Sequence, residues 1–361
     1  MEDFVPIWTL GLMSGTSMDG IDAALIKTDG VKIFDIGPAT TIPYADSLKQ
    51  LIRAALGSRS PSSILIQMIT DAHFEAVKSL LSQNPGFEEK IKLIGMHGHT
   101  VVHAPNDKTT LQVGDGERLA KHIGINVVCD FRSTDVANGG QGAPLAPLYH
   151  SALAQDLEKP VLIVNIGGIA NLTWIGRDEN LTPIAFDTGP GNCILDDWVQ
   201  ANTMERFDKG GAISAAGAPN NELVEKMMEH PYFNSPPPKS LDRLDLNYKC
   251  IFGLEPADGA ATLVMYTCKT IMAALQYVPE PPKRLFITGG GRLNPTIMHE
   301  LSRLASVPVE PVEAIGWDGD MLEAQAFGFL AVRSIRGMHL STPTTTGISA
   351  PASGGILHKA K

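Results

Sequence analysis

Three times along this chain a short apolar run ends in glycines, and the spacing of apolar residues around these points predicts strands more often than helices. IWTL and AALIKT flank a polar turn within TLGLMSGTSMDGID (residues 9–22), and PVLIVNIGGIANLTW (160–174) repeats the order of strand, Gly-Gly and strand. RLFITGGGRLN (284–294) sends a third run into glycines and then, from Pro295, into PTIMHELSRLA, whose apolar residues recur at helical spacing. Short apolar runs bounded by glycine read as buried strands, and proline at a first helical position marks a helix start. Residues 48–56 and 63–83 also have helical periodicity, the second with Ser62 or Ser63 as a cap, whereas 91–97, 125–129, 161–166 and 285–288 are short and rich in β-branched residues. Interleaved strands and helices predict an α/β fold. The helical run ADGAATLVMYTCKTIMAAL from Ala257 is apolar nearly all round and reads as core.

The first turn has the chemistry of a phosphate cradle. Gly11, Gly15 and Gly20 give backbone freedom and close approach, Ser14, Thr16 and Ser17 offer hydroxyls, and Asp19 offers a carboxylate to Mg²⁺ or to a water on it. Alone, the same residues also fit an ordinary β-hairpin turn. Three such junctions can clamp one nucleotide from several sides. A P-loop is excluded, because Ile21 and Asp22 follow Gly15 and Gly20 where Lys and Ser/Thr are required, and the nearest approach to Gly-x-Gly-x-x-Gly, GPGNCI, has Ile194 in its last place.

FDTGPGN is the other candidate centre. There Asp187 is expected to end a strand and enter a Gly/Pro turn, which suits a general base at a cleft mouth and also suits a helix cap. Asp-Thr-Gly is the aspartic protease triplet too, but those enzymes share a proton between two carboxylates and the chain has no second Asp-Thr/Ser-Gly. In HGHTVVH, strand alternation puts His97 and His99 on one face and Thr100 on the other. Zinc is an alternative reading of these histidines, although no acidic or Cys ligand completes a set. Arg132 in DFRSTD has the fork that suits a carboxylate, or a surface ion pair.

Composition narrows the class. The 361 residues suffice for two cores, and the net charge of −10 opposes binding to nucleic acid or an anionic membrane, so an anionic substrate needs local donors and metal. Four scattered cysteines with no C-x-x-C pair suggest reduced thiols in the cytoplasm. The acidic start lacks a signal-peptide pattern and no apolar run reaches transmembrane length.

GLMSGTSMDGIDAAL, GMHGHTVVHAP, LQVGDGERLA, VCDFRSTDVANGGQGAPLAPLYH, NIGGIANLTW, FDTGPGNCILD, FDKGGAISAAG, ITGGGRLNP and DMLEAQAFGFLA follow one another from about Gly11 to Arg333. In these blocks the chain resembles the anhydro-N-acetylmuramic acid kinases of the sugar kinase, heat-shock protein and actin superfamily. The resemblance implies two ribonuclease-H-like (actin-like ATPase) lobes with an active-site cleft between them. One lobe covers 1–130 with the final helix at 320–335, the other 131–319, and the Ser/Thr/Pro/Gly-rich segment 341–361 is expected to be loosely ordered. It implies ATP and Mg²⁺, a small amino sugar as partner, a homodimer, and opening of the 1,6-anhydro ring by water with phosphorylation of O6. Asp187 would activate that water. ATP contacts would come from Gly15, Thr16, Ser17, Met18, Asp19, Gly20, Ile21 and Asp22, from Gly167 and Gly168, and from Gly289, Gly290, Gly291 and Asn294, with Asp19 nearest the metal. Thr100, Arg132 (to the lactyl carboxylate), Gln141 and Glu323 would hold the sugar. Two departures stand out: family members more often carry Gln at position 99, and PPPKSLDRLDLN keeps Lys239, Ser240 and Arg243 but has Leu241, Asp242 and Leu244 where Thr, Gly and Glu are usual. The latter segment reads more simply as a surface loop. A kinase of another carbohydrate and an actin-like assembly protein are the competing readings, distinguished by a sugar panel and by polymerisation without sugar-dependent ADP release.

Overall fold

The structure, a computed structural model, describes residues 4–15, 17–178, 181–241, 245 and 248–361. The strands are β1 (Ile7–Ser14), β2 (Gly20–Thr28), β3 (Ile33–Pro43), β4 (Ile91–Ala104), β5 (Thr109–Val113) and β6 (Val127–Cys129), then β7 (Val161–Ile166), β8 (Ile169–Ile175), β9 (Ile184–Pro190), β10 (Arg284–Thr288), β11 (Val309–Pro311) and β12 (Ile356–His358). One sheet has the order β12-β6-β4-β1-β2-β3 with β5 on β4, and the other β11-β10-β7-β8-β9. In each, an antiparallel meander (β1 to β3, β7 to β9) is extended from its first strand by two parallel strands, β4 and β6 or β10 and β11. The two sheets thus share the ribonuclease-H-like strand order, and the repeated glycine hairpin in the sequence is the first turn of each.

The chain divides into two compact units, Met1–Gln155 with Met321–Lys361, and Asp156–Asp320. This moves the expected divide from about 130 to 155, because residues 131–155 pack with the first unit. Tyr149, fully buried on the helix Pro147–Leu153, donates its hydroxyl to Gln325 Oε1 at 2.7 Å in the helix Leu322–Ile335. The segment after Ser341 is also not loose: Thr342, Thr345 and Thr346 are buried, and β12 pairs antiparallel with β6. Its hydroxyls bond to one another and to the protein interior, which a composition reading does not foresee.

Each unit has its own apolar core, one including Leu10, Leu12, Ile21 and Leu25, the other Leu162, Val164, Phe186 and Leu263. The helix Ser63–Gln83 forms where the periodicity predicts, capped by Ser62 Oγ accepting from Leu65 N–H at 3.2 Å, and it buries Leu65, Ile69, Ala76, Val77 and Leu80 on one face. Pro256–Ala274 is buried along most of its length, as expected of a core helix. No helix among the described residues is long and apolar enough to cross a membrane.

The last helix, Leu322–Ile335, lies directly on backbone. A Cβ added at Gly11 of β1 would stand 1.7 Å from the Ala324 carbonyl oxygen, and one at Gly95 of β4 2.0 Å from that of Phe327. Only glycine permits this approach, and it brings the helix close enough to bury Ala324, Ala326, Phe327 and Leu330. Gly11→Ala is therefore expected to destabilise the protein by about 1–3 kcal/mol or more through overpacking against backbone. Gly15→Ala, where the nearest atom is Ser17 Oγ at 3.6 Å, should stay within about 0.5 kcal/mol, and urea titration of both variants beside the wild type checks the contrast.

Candidate active site

In the first unit the glycine turn joins β1 to β2. Ser17 and Asp19 are exposed, Met18 has φ 57° and closes the turn with its N–H on the Gly15 carbonyl at 3.1 Å, and Gly20 is required because a Cβ would stand 2.2 Å from the Ile42 carbonyl oxygen. Thr16 lies outside the described residues. Ile21 is fully buried in the core, so its side chain is not at a ligand surface, and Asp22 accepts a 2.6 Å bond from Thr41 Oγ1. Ser14, read as a phosphate donor, is turned inward: its buried Oγ lies 2.6 Å from the Tyr44 hydroxyl and 2.8 Å from His99 Nδ1. Burial holds His99 down to about 4 and pushes Tyr44 up to about 12, the Ser14 bond to Tyr44 acting the other way and Asp22 adding to the rise.

Next to this lies the set around Arg132. Pairing of β1 with β4 is irregular between Leu12 and Ser14, and Gly98 has φ 76°, so the alternation expected of His97 and His99 is interrupted and the two rings take different partners. His97 Nε2 accepts Arg132 Nε–H at 3.0 Å, while its Nδ1 lies 2.9 Å from the Gly98 carbonyl. The ring is therefore the neutral Nδ1–H tautomer, consistent with burial and then Arg132 driving it well below the usual range. Arg132 Nη1 donates to the Gly142 carbonyl at 2.7 Å. Glu323, open to solvent at the start of the last helix, is raised by desolvation among its neighbours, opposed by the Arg132 charge and assisted by Asp22. Gln141 follows the same loop, its N–H on the Thr346 carbonyl at 2.7 Å, and Thr100 Oγ1 accepts from Gln112 Nε2 at 3.3 Å. Among the described residues no group of His, Cys, Asp and Glu is disposed to hold zinc.

In the second unit the structure brings together Gly167, Gly168 and Gly289 to Gly291. The Gly167 and Gly168 carbonyls accept from Asn192, Gly191 and Cys193 N–H groups at 2.7, 2.9 and 3.1 Å, while a Cβ on Gly289 or Gly291 would run into Asn165 or Ile166 at 2.3 Å. Gly290 is open. Asn294 is different: it is buried, its Oδ1 caps the helix Pro295–Leu304 through Thr296 N–H at 3.0 Å, and its Nδ2 donates to Asp208. It is a cap, and its side chain is already used. Beside it a cavity of about 360 Å³ is lined by Gly210, Ser214, Ala215, Gly217, Thr296 and His299, among others. Sequence reading left this cavity unassigned, although the small residues of FDKGGAISAAG are the signal for it.

Asp187 sits within β9, which continues to Pro190, so it does not end the strand as expected; it lies at the irregular step of pairing with β8, opposite Asn171. Its Oδ2 accepts the Leu241 N–H at 2.9 Å, its carbonyl accepts the Tyr232 hydroxyl at 2.7 Å, and its N–H donates to the Lys239 carbonyl at 3.2 Å. The side chain keeps some exposure, yet burial pushes its carboxyl from 3.8 up to about 7 and the single Leu241 bond only partly offsets this. Lys239 Nζ donates to the Tyr232 carbonyl at 2.9 Å and lies 4.6 Å from the ring centres of Tyr232 and Tyr277, where burial lowers it to about 8. Lys239 to Leu241 is thus the support of Asp187 rather than a plain surface loop, and Asp242, Arg243 and Leu244 lie outside the described residues.

The family model for anhydro-N-acetylmuramic acid kinase matches residues 7–360. The chain belongs to the anhydro-N-acetylmuramic acid kinase family. It is 49% identical over 352 residues to the anhydro-N-acetylmuramic acid kinase of Paramagnetospirillum magneticum, covering 97% of this chain and 99% of that one. To those of Rhodospirillum rubrum and Acidiphilium cryptum it is 47% and 49% identical over 354 and 356 residues, covering 97% and 96% of this chain and 93% and 96% of theirs. A solved xylulose kinase from Lactobacillus acidophilus superposes with a TM-score of 0.47 at 10% identity over 98% of this chain and 94% of that one.

For this kinase the raised Asp187 carboxyl has a consequence for stability. An unfolded Asp loses its proton near 3.9, whereas the folded group keeps it until about 7, so the folded state binds more protons in between and stability falls as pH rises through that window. Relative to Asp187→Asn, which does not titrate, the wild type should lose denaturation midpoint between pH 5 and pH 8. A constant difference would show that Asp187 is not held protonated.

Proposed function

We propose that this chain phosphorylates 1,6-anhydro-N-acetylmuramic acid with ATP and water, giving N-acetylmuramic acid 6-phosphate and ADP, in cell-wall recycling. Family membership establishes the kinase class. The observation that carries the reaction is the Asp187 carboxyl: partly exposed, held among the described residues by one N–H, and raised by burial to about 7. In its ionised form it takes a proton from a water whose oxygen bonds to the anomeric carbon. The bond from that carbon to O6 breaks, and the electron pair left on O6 forms the new bond to the γ-phosphorus as the bond to the β–γ bridging oxygen breaks and ADP leaves. One carboxylate thus starts both hydrolysis and transfer.

The remaining residues bind and orient. Arg132 pairs with the lactyl carboxylate, and Thr100, Gln141 and Glu323 take the sugar's polar groups. The glycine turns at 15–20, 167–168 and 289–291 let phosphates approach backbone, with Ser17, Met18 and Asp22 in or beside the first. The cavity beside Asn294 has the size of a small-ligand site and takes the nucleoside base. Asp19 is a single exposed carboxylate, which fits Mg²⁺ because that ion commonly uses one or two protein carboxylates and otherwise water and phosphate oxygens. When bound, Mg²⁺ would neutralise phosphate charge. The four free cysteines support a reducing, cytoplasmic setting, the net charge argues against nucleic acid, and the family resemblance supports a homodimer.

Purified protein with ATP, Mg²⁺ and the anhydro-sugar should form the 6-phosphate with an acid limb in kcat/KM near pH 7, since activity needs the ionised carboxylate. Asp187→Asn should cut turnover by roughly a hundredfold to ten-thousandfold while nucleotide affinity stays within about twofold. Normal turnover by that variant would remove Asp187 from the chemistry.

A further inference from the structure

The C-terminal segment passes beside the loop that holds Arg132. Asp135, in the first turn of the helix Ser133–Ala137, is buried, and its carboxylate joins two distant parts of the chain. Oδ1 accepts the Gly142 N–H at 2.6 Å, and Oδ2 accepts the hydroxyl of Thr346, itself fully buried, at 2.6 Å. The Thr346 carbonyl accepts the Gln141 N–H at 2.7 Å, and the Asp135 carbonyl accepts that of Gly140 at 2.9 Å. Loop and tail are thereby tied around one carboxylate. The fit is close, since a Cβ on Gly140 would stand 2.1 Å from Asp135 Oδ1.

The other side of this knot is the arginine. The Gly142 carbonyl that accepts Arg132 Nη1 belongs to the residue whose N–H is bound by Asp135, and His97 holds the Nε–H. Two of the guanidinium's three nitrogens are thus fixed to protein, which sets the plane of the fork, while the third makes no hydrogen bond to protein among the described residues. A planar bidentate donor is effective only when that plane is correct. Removing the Thr346 hydroxyl leaves a buried carboxylate oxygen short of a donor and loosens Gly142.

We propose that Thr346, acting through Asp135 and Gly142, is a positioning residue for Arg132, so that the C-terminal segment sets affinity for the carboxylate-bearing sugar. This rests on Arg132 as the lactyl partner. Thr346→Val keeps the shape and removes the hydroxyl, and it should raise KM for the anhydro-sugar roughly tenfold with kcat and KM for ATP nearly unchanged. Thr346→Ser should restore the wild-type value, and Asp135→Asn, which cannot accept from both donors, should reproduce the defect if the valine variant does not fold. An unchanged sugar KM, or equal rises in the sugar and ATP values, would overturn the proposal. Arg132→Lys separates the two ideas: a raised sugar KM there with a normal Thr346→Val sinks only the positioning role, whereas a normal sugar KM for Arg132→Lys sinks the assignment of Arg132 itself.

Discussion

Backbone contact between the last helix and the first sheet is the constraint on which the first unit depends. Gly11 and Gly95 let Leu322–Ile335 rest on β1 and β4 at a distance no side chain would allow. That seating places Phe327 4.5 Å from the His97 ring centre and Glu323 within electrostatic reach of Arg132. His97 in turn holds Arg132, so the arginine proposed to bind substrate is oriented by a helix nearly two hundred residues further along the chain. Loss of either glycine would shift the helix first and the chemistry afterwards.

The second unit works on a different physical effect. Its sheet has the same strand order, but the residue that matters is a carboxyl with too little hydrogen bonding to offset its burial. Among the described residues Asp187 receives one N–H on its side chain, fewer than the two or three that can hold a carboxylate firmly ionised. Of its described neighbours, Lys239 is turned to the Tyr232 carbonyl and to aromatic rings, and Tyr232 donates to the Asp187 backbone. Poor stabilisation of the charge raises the carboxyl toward the range that the proposed role of general base requires.

Much of this was legible in the chain. Glycine-ended strands gave both hairpins, the periodicity of 63–83 gave a helix with those bounds, and Asp187 and Arg132 stood out by residue type and neighbours. What escaped depended on partners remote in sequence. Asn294 resembled a ligand contact because capping Asn and binding Asn look alike until Asp208 is seen to take its amide. The threonines after Ser341 looked loose because polar composition does not reveal that hydroxyls find one another and Asp135. The divide at 155 was missed because the ties of this segment to the first unit are remote in sequence: Arg132 to His97, Asp135 to Thr346 and Tyr149 to Gln325.

The central claim is that Asp187 retains its proton to near neutrality and can then act as a base. Carbon-13 labelling of aspartate carboxyls, with the Asp187 resonance assigned by its loss in Asp187→Asn, measures this without turnover. A titration midpoint near 7 is the expected result. A midpoint near the ordinary aspartate value of about 4 would contradict the account.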